Sequence, residues 1–151
     1  PSEGAFSDYL IVHSSDGSFQ PERLNGFKKW PINVRGRGIV TMHTNGSPCK
    51  SGDDLFLLSG FCVPDDSNTF LRGMQDAGKN PLAPHRIRDA IGTFNLVHVT
   101  DGRVEVSNDY HGTSKIYRYQ KDGLVLVSNR YHLILCALTA HLSAFHCEQI
   151  S

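Results

Sequence analysis

Apolar and polar positions alternate most clearly between Gly92 and Leu135. Short runs rich in Val, Ile, Leu, Phe and Tyr occupy 92–99, 103–106, 115–119 and 124–128. Asp101-Gly102, the stretch 109–114 and Asp122-Gly123 separate them. Asp-Gly between alternating runs signals a tight hairpin, because such turns need positive φ and glycine supplies it at no steric cost. The first two runs and the last two are therefore read as antiparallel pairs, giving a meander. An apolar segment with helical spacing closes it: 130–141 places Tyr131, Ile134 and Leu138 on one face.

The chain before Gly92 is less regular. Residues 9–13 read as a first strand, ended by Asp16-Gly17. The stretch 18–37 mixes Phe19, Phe27 and Trp30 with Gln, Lys, Arg and Pro, and reads as a loop with one short helical turn. Pro31 restricts Trp30 to extended backbone, so no helix continues through it. Residues 38–43 form a second strand, and 45–48 and 51–54 form turns. The continuous apolar run 55–59 fits a strand buried on both faces. Phe70, Leu71 and Met74 predict a helix over 69–77, with N-cap residues before it in 64–68 and Gly78 as its stop. A second short helix over 85–91 would put Ile87 and Ile91 on one face, and no internal repeat interrupts the pattern. Helices between and after antiparallel strands predict an α+β domain.

A length of 151 residues suits one domain with a core that needs no covalent staples. Lys and Arg balance Asp and Glu at 15 each, so no basic face predicts nucleic-acid binding. No run approaches the roughly 18 apolar residues of a membrane span, and the start shows no basic and apolar leader. The expectation is a cytoplasmic chain with no membrane partner. Cys49, Cys62, Cys136 and Cys147 lack a Cys-x-x-Cys pair and are read as reduced thiols. His141, His146 and Cys147 lie close in sequence, but one such group is no basis for a metal site.

Several motifs together carry a resemblance. The strand 92–99 leads to Val104-Glu-Val-Ser-Asn-Asp109-Tyr-His-Gly112. Ile116-Tyr-Arg-Tyr119 and Leu124-Val-Leu-Val-Ser128-Asn-Arg then precede the last helix. This series resembles the glutaminase-type domain of asparagine synthetases, class II glutamine amidotransferases with the N-terminal-nucleophile (Ntn) fold. Asp109 and Gly112 match that family's Asp-x-x-Gly turn, Tyr117 and Tyr119 its aromatic strand, and Ser128 its serine. Upstream, 55–63 is similar to the strand leading into the family's Asn-Gly pair, with Ser59-Gly60 at the matching position. The resemblance covers about two thirds of the chain. It implies an αββα sandwich of antiparallel sheets, in one glutaminase-like domain spanning 1–151.

Family chemistry does not carry over with it. An Ntn glutaminase attacks with a first-residue thiolate while its free α-amine moves protons. Pro1 supplies no such nucleophile, and Ser2 is not terminal. Ser59 replaces the asparagine amide that would complete an oxyanion hole, leaving only the Gly60 backbone donor. Losing one such donor costs about 100- to 1000-fold in rate. Arg35 and Arg37, in Arg-Gly-Arg-Gly, loosely match the family's arginine clamp for the substrate carboxylate, although arginines among glycines also suit a solvated loop. The substrate-amine segment has no counterpart in 78–88. Asp109 and Gly112 read as a structural turn. A tautomerase-like Pro1 base lacks the βαβ pattern that would go with it, and a Cys49 or Cys62 nucleophile beside His13 or His43 has no support in spacing.

The expectation is a domain with no catalytic residue, no metal and no cofactor of its own. In one reading it is a scaffold or interaction module, a fragment or subunit of an asparagine-synthetase-like amide ligase. ATP and Mg would then belong to a synthetase-type partner domain or subunit. In a second reading it is a free-standing structural or protein-binding module, self-associating or bound to another protein. A third is an amidohydrolase with an unrecognised nucleophile.

Overall fold

The computed structural model describes residues 4–19, 21, 24–64, 68–79 and 83–142, with only the backbone of 140–142. The β-type runs fold into two antiparallel sheets. The first holds β1 (Tyr9–Ser14), β2 (Lys28–Ile32), β3 (Ile39–Thr44), β9 (Tyr117–Lys121) and β10 (Leu124–Ser128), in the order β2-β3-β1-β10-β9. The second holds β4 (Cys49–Ser51), β5 (Asp54–Val63), β7 (Ile91–Thr100) and β8 (Arg103–Asn108), in the order β4-β5-β7-β8. A two-residue strand, β6 (Leu71–Arg72), pairs with the end of β5.

Side-chain alternation makes this a four-layer αββα sandwich. On the inner faces, Tyr9, Ile11 and Met42 of the first sheet meet Leu55, Leu57, Val97 and Val99 of the second. The intervening residues face outward and need separate cover. Leu10, Val12 and Leu126 are covered by Leu133, Ile134 and Ala137 of α3 (Tyr131–Leu142). Phe56, Leu58, Phe94 and Leu96 are covered by Ala77 of α1 (Gly73–Ala77) and by Ala83 and Ile87 of α2 (Ala83–Ile87). Central strands are thus buried on both faces, which is why 55–59 is continuously apolar. No described helix is long and apolar enough to cross a membrane.

Both Asp-Gly hairpins form as the sequence predicts. Asp101 and Gly102 have φ of 53° and 71°, Asp122 and Gly123 51° and 79°, the paired positive values of a type I′ turn. The two hairpins do not make a meander, however. β7 and β8 lie in the second sheet and β9 and β10 in the first, so the chain changes sheets between Asn108 and Tyr117.

Asp109 governs that change. Its Oδ1 accepts from the backbone N–H of Phe94 (3.3 Å) and Ser114 (3.1 Å), and its Oδ2 from Thr113 N (3.0 Å) and Thr113 Oγ1 (2.8 Å). Gly112 N donates to the Asp109 carbonyl, with Gly112 at φ 64°. These bonds turn the chain away from β7 and hold it there. Burial pushes the Asp109 carboxyl up, but the hydrogen bonds outweigh it and bring it to about 2.

Other upstream expectations change. The supposed loop 18–37 contains β2, whose Pro31 is tolerated because β2 is an edge strand with one unpaired side. The predicted turn at 51–54 is flanked by β4, pairing Cys49 with Phe56. The helix expected over 69–77 begins only at Gly73, because Leu71 and Arg72 pair with β5. Its cap, Gly78, has right-handed φ, so it is not a left-handed stop. The expected caps at 65–67 lie outside the described residues. α2 ends at Ile87, which is fully buried, whereas Ile91 opens β7 and is 74% exposed.

Asp109→Asn should destabilise the fold by about 2 kcal/mol, because the new amide N–H2 would face the Thr113 donors. The folded-state pKa lies below the unfolded value of about 4. The carboxylate's stabilisation is therefore complete above about pH 4 and lost as pH falls towards about 2. Urea denaturation across that range should show the wild-type loss, and the Asn variant should show less of it.

Candidate functional site

The positions expected to face a substrate fall at two ends of the sandwich. At one end, β5 carries Ser59 and Gly60 opposite Asn95 and Phe94 of β7. Gly60 has φ +120°, and a Cβ there would collide with the carbonyl of Thr93, so this close strand approach admits only glycine. The residues preceding β1 run directly over the pair. The Gly60 N–H donates to the Ala5 carbonyl at 2.8 Å. Ser59 Oγ accepts from Ser7 N (3.0 Å) and donates to Ser7 O (2.7 Å).

Three further side chains complete this end. Asn129 Nδ2 donates to Ser7 O at 2.8 Å, and its Oδ1 accepts from Tyr9 N at 3.0 Å. The Tyr9 hydroxyl donates to Asn95 Oδ1 at 2.7 Å. Burial pushes that phenol above its ordinary value, so it stays a neutral donor. A cavity of about 200 Å3 adjoins, bordered by Ala5, Ser7, Asn45, Gly46, Leu58 and Met74. The Gly60 N–H, the Ser59 hydroxyl and the Asn129 amide are thus engaged by the protein's own backbone, and the Tyr9 hydroxyl by the Asn95 side chain. Pro1 and Ser2, which figured in the nucleophile argument, lie outside the described residues.

Arg35 and Arg37 belong to the other end. The loop joining β2 to β3 is pinned there by Arg35 N donating to Gly102 O (2.8 Å) and by His13 Nε2 donating to Arg37 O (3.1 Å). His13 is near the finish of β1, whereas Ser59 adjoins its beginning. The strand between spans about 17 Å. The structure therefore does not bring Arg35 and Arg37 together with Ser59 and Gly60. Instead both arginines line a cleft of about 760 Å3 with Arg103 and Arg118. Sequence reasoning missed Arg103 and Arg118, and also Ser7, Asn95 and Asn129. Only the Ser-Asn-Arg beginning at the last residue of β10 carried a local signal, as a polar cluster ending an apolar strand.

Among the described residues, thiols and histidines form no cluster that could hold a metal ion. Cys62 is buried beneath α1 and α2, and burial pushes its thiol up to about 11. His43 is in the first sheet, bonded to Thr41 Oγ1 at 3.2 Å, so the two are in different sheets. Cys49, Cys62 and Cys136 are free. No cluster of three or more metal-binding side chains occurs among the described residues. Of the tail cluster, Cys147 and His146 lie outside the described residues, as does the side chain of His141.

No family model matches the chain, and no curated protein matches it.

Ser59→Ala removes both bonds to Ser7 and should cost about 2 kcal/mol. Gly60→Ala combines positive φ with a backbone collision and should cost more than about 3 kcal/mol. Chemical denaturation of the two variants should give that order. Equal stabilities would contradict the packing assigned to Gly60.

Proposed function

We propose that this is a glutaminase-like domain of the Ntn type, related to those of asparagine synthetases, in which amide hydrolysis has been replaced by a scaffolding role. The supporting observation is the engagement of Gly60 by Ala5. An oxyanion hole works only if its donor is aimed at a developing charge and free to meet it. Here the N–H is 2.8 Å from a carbonyl of the same chain, and the neighbouring hydroxyl is bonded to Ser7. Ser7 is the residue lying against Ser59, and its nitrogen is a peptide N–H donor, not a free amine that could move protons. The layer order, with helices outside two antiparallel sheets, agrees with this kinship.

A scaffold needs a surface to present. Phe6, Phe61 and Phe70 form an aromatic cluster beside the closed site, with ring centroids 5.8 and 5.7 Å apart. Phe6 and Phe70 are more than half exposed or nearly so, at 57% and 50%. Contiguous exposed aromatic surface suits cover by another protein. In this reading the partner is a synthetase-type domain or subunit, which would hold the ATP and Mg for amide formation.

Incubation with glutamine should release no ammonia above the buffer rate, and an electrophilic glutamine analogue should label no residue. Turnover or stoichiometric labelling would overturn the proposal in favour of hydrolysis. A Ser-Gly-Gly-x-Asp-Ser motif in the reading frame following Ser151 would support the synthetase partnership.

A further inference from the structure

The cleft at the arginine end is independent of the closed site, and its chemistry differs. The two sheets pack tightly around Leu57 and Val97 but separate where β8 faces β9 and β10. Val104, Val106, Val125 and Val127 point into the gap from its two sides and are only half-buried. These inward positions would be fully covered if the sandwich closed, so the gap is an apolar-floored space of about 760 Å3. That size and lining are those of a small-molecule site.

Charge is arranged around it with one sign. Arg35 and Arg37 come from the β2–β3 loop, Arg103 from the start of β8, and Arg118 from β9. Among the described residues no Asp or Glu lines the cleft. The whole chain is neutral, so this is a local segregation of cations over an apolar concavity, which focuses field on an entering anion.

Competing partners are weak. Among the described residues Arg35 and Arg37 make no side-chain ion pair. Arg103 approaches Glu105 only at 3.8 Å, with both side chains well exposed, and Arg118 donates to the neutral Gln120 Oε1 at 3.0 Å. Asp53, Asp54 and Asp101 border an adjoining groove that shares Val34, Arg35 and Gly102 with the cleft, and none of the three lies within ion-pair distance of Arg35 among the described residues.

An inward-pointing arginine on an edge strand also guards against edge-to-edge pairing, and that would account for Arg118 alone. It does not account for convergence of four arginines from separate segments. Nor does it account for the pinning of their loop by Arg35 N to Gly102 O and by His13 to Arg37 O. Pinned backbone lowers the ordering cost of binding.

We propose that this cleft binds an amphipathic organic anion, with a carboxylate or phosphate headgroup held by Arg35 and Arg37 and an apolar body lying on the valine floor. Guanidinium groups fit either headgroup through paired hydrogen bonds. The valines supply affinity that a bare inorganic anion cannot use.

Isothermal titration of the full chain with octanoate and octyl phosphate tests this. Saturable one-to-one binding of at least one is expected, with octanol, octylammonium, acetate and inorganic phosphate each at least ten-fold weaker. The double substitution Arg35→Ala and Arg37→Ala should weaken binding ten-fold or more while leaving the circular dichroism spectrum unchanged. Val106→Glu, which places a carboxylate on the floor, should weaken it comparably. Equal binding of octanol or octylammonium would reduce the cleft to an apolar surface and overturn the proposal. Equal binding of acetate or phosphate would reduce it to diffuse charge. Indifference to the arginine substitutions in a folded protein, or no binding of either amphiphile, would also overturn it.

Discussion

From Ala5 to Tyr9 the backbone is held by groups from both sheets, and the rest of the sandwich is built around that attachment. Gly60 reaches Ala5, and Ser59 and Asn129 both hold Ser7. Asn45 Oδ1 accepts from Asp8 N at 2.7 Å, and Thr44 Oγ1 donates to Asp8 O at 2.7 Å. Asn129 and Ser128 take the amide and carbonyl of Tyr9, whose side chain is fully buried between the sheets and reaches Asn95. Each such bond contributes about 1 kcal/mol net. Their joint effect is positional: β1 is the middle strand of the first sheet, the segment running into it is bonded to β5 of the second, and its first residue, Tyr9, is bonded to β7. That fixes how the two sheets superpose at this end.

At the opposite end Arg35 N reaches Gly102 O across the sheets, but β8 and β9 are edge strands of different sheets and do not pair with each other. Asp109 sends the chain from one sheet to the other at the stitched end, where Asn108 pairs with Asn95 and Tyr117 with Ser128, so the adjacent edges are joined by a loop there and by no ladder along their length. Without strand pairing between them, the sheets are free to diverge, and the inward valines remain half-covered. The stitched end and the open end follow from one topological fact, that the hairpins β7–β8 and β9–β10 lie in different sheets. An enclosed polar end and an accessible cationic cleft are therefore properties of the connectivity, as much as of the particular residues that line them.

Local chemistry in the sequence was enough for the elements governed by turns. Asp101-Gly102 and Asp122-Gly123 announce their hairpins because only a few residue pairs accept two positive φ values. The doubly buried β5 shows as an apolar run. What stayed hidden depends on contacts distant in sequence. The Asp109 turn points between sheets because Phe94 N donates to it, a partner 15 residues away. β2 was obscured by Pro31, which rules out a central strand but not an edge one. α1 lost its first turn to pairing with β5, tertiary contact overriding propensity. Arg35 and Ser59 could be read as one site only because spacing along the chain does not say which end of a strand a residue lies near.

Gly60 shows why resemblance in a strand motif is weak support for activity. In a working amide-cleaving site, a glycine there would leave a backbone N–H facing the substrate. Here the same residue is required by packing alone: φ is +120° and the Thr93 carbonyl occupies the space of a Cβ. The backbone geometry that would aim a donor at a substrate follows from the close approach of β5 and β7, and it forms whether or not anything reacts beside it. With the donor already bonded to Ala5, the position keeps its conformation and loses its access. The cleft of about 760 Å3 at the other end of β1 is, by contrast, surface that the described chain leaves uncovered.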